Sequence, residues 1–362
     1  MAPDVSYCAT HVPYSTLRFC IVACSTVVGA IGIITNLTLF VIFLGLTMRE
    51  KPLTTGFLYL IFLVFCDAGS CFSFVVVYGL DAMALYLYSY TTFVLYYQLI
   101  VVVFTISRVV QMAIPYFIIA ATFERWLGSS PVRRPKILAV VSSNLCRILL
   151  TCAVSAMALI FRLPSGWAFT VETLENCTDD PFGSLQLTGT EFSSHPVYLF
   201  IGFYVLSALQ VFFPFMMLLI LNIAIMRNMR HSWRFGLEDT AMPAAIVTFG
   251  VEENKGSTTL VSPVTSPSAQ PSQNRIKEAT ITIAVLVSSY LLCTLPHFVL
   301  SVLEQMNAAI LLDDYGGSSD LYTYWSDLVS ILFMFSSFLR IFIFYYCNQN
   351  VRAQLKRMIC MK

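Results

Sequence analysis

The stretch FCIVACSTVVGAIGIITNLTLFVIFLGL, residues 19 to 46, contains no Asp, Glu, Lys or Arg. As a helix it is long enough to cross the hydrocarbon core of a bilayer, which takes about 20 residues. Its single amide side chain, Asn36, would then lie at membrane depth, where a polar group needs a partner. The stretch therefore predicts a membrane-spanning helix.

The same pattern recurs along the whole chain. Of the 362 residues, 57% are hydrophobic and only 11% charged, whereas a soluble domain carries about 25% charged residues. Seven segments reach spanning length, and they predict an all-α membrane protein, a seven-transmembrane helix bundle. These segments cover about residues 19–46, 55–80, 92–122, 138–161, 197–226, 279–303 and 322–347.

Basic residues predict how the bundle is oriented. Outside the spans, all Lys and Arg residues except Arg18 and Arg162 fall in the loops after the odd-numbered segments and in the C-terminal tail. Because cytoplasmic loops concentrate Lys and Arg, the N-terminus is predicted to lie outside and the C-terminus in the cytoplasm. The first 18 residues do not have the pattern of a cleavable signal peptide, so we expect the first span to direct membrane insertion.

This orientation gives three predicted regions. Residues 1–18 form an extracellular N-terminus, residues 19–347 the seven-helix bundle, and residues 348–362 a short cytoplasmic amphipathic helix and tail. The cytoplasmic loop 227–275 contains a run rich in Ser, Thr, Pro and Gln, which favours partial disorder.

A few polar side chains interrupt the apolar spans. Each is costly at bilayer depth and therefore indicates an internal partner or a function. Prolines at 214 and 296 are expected to bend the fifth and sixth helices. The polar residues are Asn36, Asp67, Arg108, Gln111, Arg147, Gln210, His297 and Arg340.

Glu124 and Arg125 end the third span at its predicted cytoplasmic side. We expect the two to pair with each other, as a latch at the inner mouth of the bundle, with Glu278 of the sixth helix as a second partner for the arginine. The alternative is a charge pair that only reaches toward solvent from the end of a helix.

Several short motifs occur in register with these spans. GIITNLTLF contains Asn36, LVFCDAG contains Asp67, ERW contains Glu124 and Arg125, and FFPFMMLLILN and CTLP contain Pro214 and Pro296. Together they resemble the motifs of rhodopsin-like G-protein-coupled receptors over roughly residues 19–360. The ending SSFLRIFIFYYCNQNVRAQL is similar to the divergent nematode branch of FMRFamide-type peptide receptors and chemoreceptors.

The resemblance implies roles for particular residues. Arg125 would engage a heterotrimeric G protein, with Glu124 beside it. Arg108, Gln111, Gln210 and His297 would line the ligand cavity. A buried Arg beside amide and imidazole groups suits a ligand carboxylate or carbonyl, with Arg108 as the anchor; the alternative is internal pairing between helices.

The chain also departs from the family pattern. Thr294 stands where the family usually has Trp, Asn222 where it commonly has Tyr, and RIFIF, residues 340 to 344, replaces the Asn-Pro-x-x-Tyr motif. Because the resemblance places Arg340 opposite Asp67, we predict a buried ion pair between them. The alternative is that Arg340 extends toward the cytoplasm.

The cysteine at the outer end of the third helix is missing as well, which leaves the second outer loop without the family's usual tether. We hypothesise that Cys177 of this loop pairs with Cys8 or Cys20; the alternative is a free Cys177. The adjacent Asn176 begins an NCT sequon on the predicted outer side and is a candidate glycosylation site.

The sequence also limits the class of ligand. No Asp in the outer half of the third helix can hold an amine, and every lysine lies on the predicted inner side, so retinal has no Schiff-base partner. The outer loops are rich in Asp and Glu, which would attract a cationic ligand such as an Arg-containing peptide. The alternative is a solvated acidic rim.

These observations predict a multi-pass plasma-membrane receptor that couples a neuropeptide or chemosensory ligand to a heterotrimeric G protein. The competing class is a seven-helix transporter or channel, with Arg108, Arg147, Arg340 and Asp67 along the permeation path. No hydrolase, zinc or phosphate-loop motif indicates an enzyme. We expect the bilayer as environment, and no metal, cofactor or nucleic acid.

Overall fold

The part of the chain that the structure describes contains seven helices long and apolar enough to cross a membrane, and they confirm the predicted all-α seven-helix bundle. The computed structural model describes residues 15–49, 57–129, 139–141, 143–174, 181–241, 270–306 and 319–360. The spans are α1 (Thr16–Arg49), α2 (Phe57–Phe74, then π-helical Val75–Leu80, then Asp81–Tyr86), α3 (Tyr90–Ser129), α4 (Asn144–Arg162), α5 (Pro196–Phe200, then π-helical Ile201–Val205 and Ala208–Phe212, then Phe213–Ala241), α6 (Gln270–Gln305) and α7 (Asp320–Cys347).

Large apolar side chains cover the outside of the bundle. Val27, Ile34, Ile160 and Leu292 are each at least 61% exposed. In water this surface would be unfavourable, but in a bilayer it contacts acyl chains, so its composition fits a multi-pass membrane protein.

The apolar core lies mainly in the predicted inner half of the bundle. Phe43 of α1, Phe117 of α3 and Phe344 of α7 are fully buried there. The rings of Phe43 and Phe344 meet edge to face with centroids 5.0 Å apart, a favourable aromatic geometry. The inner half of the bundle therefore contains tightly packed apolar side chains.

Pro214 changes the local geometry of α5. It directly follows the π-helical segment Ala208–Phe212 and the single residue Phe213. In π-helical geometry the Leu209 carbonyl would accept from the N–H of residue 214, which proline lacks. The Tyr116 hydroxyl of α3 donates to this carbonyl instead, over 2.7 Å. The tyrosine hydroxyl therefore takes the place of the missing N–H donor and fastens α5 to α3 at this π-helical segment.

Proline also lies inside two other spans. Pro296 lies within α6, and its carbonyl accepts from the Trp325 indole N–H of α7 over 3.1 Å. Pro115 lies within α3, a position that the sequence analysis passed over.

A two-stranded antiparallel sheet follows α4 in the second outer loop. Strand β1 (Phe169–Thr173) pairs with β2 (Leu185–Gly189), Phe169 lying opposite Gly189. Asn176 and Cys177 fall between the two strands in sequence but outside the described residues, and so do the predicted glycosylation and the Cys8–Cys177 pairing. Cys20 is a free cysteine, which contradicts its proposed pairing with Cys177.

Aromatic packing attaches this loop to α3. Phe182 lies between the two strands in sequence. Its ring meets the rings of Phe93 and Tyr90 edge to face, with centroids 5.3 and 6.4 Å apart. Phe169 of β1 packs on Phe104 with centroids 5.6 Å apart. These contacts hold the loop at the outer end of α3, where the family's cysteine is missing.

The fifth and sixth helices extend into the predicted cytoplasmic loop. α5 continues to Ala241 and α6 begins at Gln270, whereas the sequence analysis placed the loop at 227–275. Once a helix is formed, each added residue costs little, and no proline interrupts the chain soon after the fifth span. Residues 242–269, which carry most of the Ser, Thr and Pro run, lie outside the described residues.

The predicted C-terminal amphipathic helix is present as α8 (Gln349–Cys360). The Asn348 side-chain oxygen caps it by accepting from the backbone N–H of Asn350 over 3.0 Å. Val351 is fully buried against the bundle, whereas Lys356 and Arg357 are exposed. The helix therefore has one face on the protein and a basic face that suits anionic lipid headgroups.

Candidate functional site

A cavity of about 440 Å³ lies between the helices in the predicted outer half of the bundle. Spans α2 to α7 and strand β1 contribute to its wall. Arg108, Gln111, Gln210 and His297, the four residues predicted to bind ligand, all line it. The structure thus brings these side chains to one place, and their role in binding stays a prediction.

Arg108 of α3 presents its charge to this cavity. Its guanidinium lies over the Phe104 ring, 4.7 Å from the centroid, which is a favourable cation–π distance. Among the described residues Arg108 forms no ion pair. Gln111, one turn further in, donates to the Ser107 hydroxyl over 3.1 Å.

A second arginine, Arg162, lines the same cavity from the end of α4. It donates from Nη2 to Oε1 of Gln210, so Gln210 is partly occupied by an internal hydrogen bond. Its Nε is buried without a hydrogen-bond partner in the described part of the chain. From the sequence we expect Arg162 in an outer loop, because a basic residue at the end of an apolar run usually lies in solvent at the end of the helix.

Glu304 and Tyr322 line the cavity near the predicted outer ends of α6 and α7. The Tyr322 hydroxyl of α7 donates to Oε1 of Glu304 of α6 over 3.0 Å. A second tyrosine, Tyr78 of α2, shares a hydrogen bond with the Ser330 hydroxyl over 2.6 Å. All four residues line the cavity, and none was singled out as a site residue from sequence.

Beneath the cavity lies the predicted Asp67–Arg340 ion pair, which the structure confirms. Both residues are buried, and the Ser337 hydroxyl donates to the second Asp67 oxygen over 2.8 Å. Asn36 of α1 donates to the Ser337 carbonyl over 3.2 Å. One network therefore joins α1, α2 and α7 in the middle of the bundle.

Glu124 at the inner end of α3 pairs with Arg147 of α4. Arg147 donates from both Nη2 and Nε to the two Glu124 oxygens, the Nε contact being 3.2 Å long, and it is only 2% exposed. The predicted Glu124–Arg125 pairing is therefore wrong. Neighbouring residues on a helix point about 100° apart, so Glu124 faces α4 while Arg125 does not.

Arg125 is half-buried at the inner end of the same helix. Within the described ranges it has no ion-pair partner, and the expected contact with Glu278 is not formed. The bidentate Glu124–Arg147 pair thus leaves the neighbouring Arg125 guanidinium without an ion-pair partner in the described part of the chain.

The family departures have local structural partners. Asn222 of α5 donates to the Ser288 hydroxyl of α6 over 2.9 Å, so it links the two bent helices. Thr294 donates to the Tyr290 carbonyl of its own helix over 2.9 Å, which satisfies its hydroxyl in the buried interior.

Among the described residues, no three His, Cys, Asp or Glu side chains are grouped closely enough to hold a metal ion. Comparison of the chain with protein-family models and with curated proteins found no match. The site geometry and the quoted motifs therefore carry the functional argument.

Proposed function

We propose that this chain is a rhodopsin-like G-protein-coupled receptor of the plasma membrane, which transmits the binding of a neuropeptide or chemosensory ligand to a heterotrimeric G protein. The observation that carries the proposal is a polar cavity that reaches only part of the way through a seven-helix bundle. Its charged lining residues, Arg108, Arg162 and Glu304, all lie in the predicted outer half of the bundle.

The closed inner half supports a receptor over a transporter or channel. Permeation requires a polar path through the bundle. Below the cavity, however, Asp67 and Arg340 neutralise each other, and the next layer is apolar, with Phe43, Phe117 and Phe344 fully buried. We therefore expect the bundle to transmit a conformational change and not to conduct a solute.

We expect the two helices that contain Pro214 and Pro296, α5 and α6, to transmit this change. His297 follows Pro296 in α6, and Gln210 lies one turn before Pro214 in α5. A ligand that contacts both and also α3 would favour the bundle conformation in which these contacts are best made. We expect α6 to swing outward at its inner end about the Pro296 bend, which opens the inner face.

Arg125 would then meet the G protein. The mechanism differs from the sequence expectation, because Glu124 restrains the inner end of α3 through Arg147 and not through Arg125. Weakening this restraint should make the active conformation more accessible, while Arg125 supplies the G-protein contact.

Basal G-protein activation in cell membranes tests the proposal. Native chain, Glu124→Gln and Arg125→Ala are compared at equal surface level against a panel covering the heterotrimeric G-protein classes. We expect Glu124→Gln to raise basal activation and Arg125→Ala to abolish it. Arg357→Ala, which removes an exposed arginine of α8, is the matched control and should behave like the native chain.

The proposal fails if Arg125→Ala and Arg357→Ala activate G proteins as well as the native chain, or if no variant activates any class. A solute-flux assay on the same membranes would then test the transporter alternative.

A further inference from the structure

We propose that the outer cavity selects a ligand with an anionic group, a carboxylate attached to an apolar body, held between Arg108 and Arg162. The inference rests on the proposed function only in taking this cavity as the ligand site. It refines the expectation that Arg108 anchors a ligand carboxylate or carbonyl, and it differs from the expectation, drawn from the acidic outer loops, that the ligand is a cation.

Two guanidinium groups converge on one cavity without enough internal acceptors. Arg108 forms no ion pair among the described residues and contacts the Phe104 ring. Arg162 has only Gln210 as a hydrogen-bond acceptor there, and its Nε is buried without one. A buried donor without an acceptor is unfavourable, so a ligand that brings acceptor oxygens is favoured.

Within the described residues, no acidic side chain forms an ion pair with either of these arginines. Glu304 accepts from the Tyr322 hydroxyl. Asp327 of α7 is held by Arg18 of α1, whose Nε and Nη2 donate to its two oxygens over 2.7 and 3.3 Å. Asp327 is thus paired with Arg18, and among the described residues that line the cavity two arginines stand against one carboxylate, that of Glu304.

This imbalance sets the sign of the ligand. Like charges that line one low-dielectric cavity repel each other more than they would in water. A carboxylate between the arginines removes that repulsion and fits the planar fork of a guanidinium. An ammonium group would add to it. The acidic loops affect a ligand that approaches the cavity, whereas Arg108 and Arg162 affect the group that is bound inside it.

The remaining wall fixes the kind of acid. Phe104, Phe169, Phe215 and Tyr290 line the cavity together with aliphatic side chains. A volume of about 440 Å³ falls in the range of small-molecule pockets, roughly 300 to 1,000 Å³. It accommodates an aryl or alkyl carboxylate, or the last residues of a peptide with a free C-terminus.

Thermal unfolding of the purified chain in lipid nanodiscs tests the inference without any G protein. The probes are 4-phenylbutanoate, 3-(indol-3-yl)propanoate and decanoate, each with its neutral primary amide and its amine. The tripeptide Gly-Leu-Phe with a free C-terminus and with a C-terminal amide distinguishes a peptide terminus from a small acid. We expect at least one carboxylate probe to raise the unfolding midpoint, and its amide and amine partners not to do so.

Variants locate the effect. Arg108→Gln and Arg162→Gln should each raise the dissociation constant of the stabilising probe by about tenfold or more, because each removes one charged hydrogen bond to the carboxylate. Exposed Arg357→Gln is the matched control and should leave the affinity unchanged.

A second measurement needs no ligand. In low salt, Arg108→Gln should leave the unfolding midpoint of the free protein unchanged or higher, because it removes one of two repelling cations. Arg18→Gln should lower the midpoint, because it leaves Asp327 without its partner.

Three results would overturn the inference: no carboxylate stabilises the chain at millimolar concentration, the amides or amines stabilise it equally, or both arginine variants bind like the native chain. Each is independent of signalling, so a failed G-protein assay with intact carboxylate binding would reject the proposed function alone.

Discussion

Single residues explain how polar groups are tolerated inside this bundle. Asp67 and Arg340 are buried, and each is the counter-ion of the other. Arg340 Nη2 and Asn36 Oδ1 are nevertheless buried without hydrogen-bond partners among the described residues. The network is therefore sensitive to the loss of any one member, because a remaining charge would be buried alone.

Removal of one partner of this pair should be strongly destabilising. We expect Asp67→Ala to lower the free energy of unfolding by about 3 to 5 kcal/mol, because Arg340 is left without a counter-ion. The double variant Asp67→Leu with Arg340→Met removes both charges and should recover most of the loss. Unfolding in detergent measures both; a double variant as unstable as Asp67→Ala would contradict the pair.

The Tyr116 hydroxyl should matter for the bend of α5. Tyr116→Phe leaves the Leu209 carbonyl without its donor, and we expect a loss of about 1 to 3 kcal/mol. Tyr346→Phe, at a side chain that is 73% exposed, serves as the control in the same unfolding experiment. Equal stability of the two variants would show that the carbonyl finds another donor.

At the scale of elements, side-chain contacts replace the family's usual attachments. Phe182 and Phe169 attach the β hairpin to α3. Glu124 and Arg147 attach the inner end of α3 to α4. α3 is thus fixed at its outer end by aromatic rings and at its inner end by an ion pair, so a ligand that contacts its middle acts on a helix held at both ends.

Phe182→Ala should loosen the hairpin. Its ring has aromatic contacts with Phe93 and Tyr90, each worth about 0.5 to 1.5 kcal/mol beyond area burial. Hydrogen exchange of the β1 and β2 amides should therefore quicken, whereas Leu187→Ala, at a more exposed side chain of β2, should change it less. Unchanged exchange in Phe182→Ala would place the attachment elsewhere.

Spacing and composition alone predict the seven spans, the bends at Pro214 and Pro296 and the amphipathic α8, because these depend on local periodicity and on the solvent. The Asp67–Arg340 pair was predictable only through the family resemblance, which places the two residues opposite each other. The place of Arg162 in the cavity wall and the Glu124–Arg147 pair do not follow from the sequence. Their partners are far apart in the chain, and only the packing of α4 decides which side of each helix they face.

At the scale of the whole molecule, charge and shape divide the bundle into two halves. The outer half holds a polar cavity with two arginines. The inner half is closed by apolar packing and carries Arg125 unpaired, within the described residues, beside a locked Glu124. This division suits a protein that binds on one side and acts on the other.

Guanine-nucleotide exchange on purified G proteins tests this central claim most directly. Native chain, Glu124→Gln and Glu124→Gln with Arg125→Ala are reconstituted in lipid nanodiscs with each class of heterotrimer. We predict that substoichiometric Glu124→Gln accelerates exchange on at least one class, that the native chain does so less, and that the added Arg125→Ala abolishes the effect. Folded protein that accelerates exchange on no class, or that does so equally without Arg125, would contradict the account.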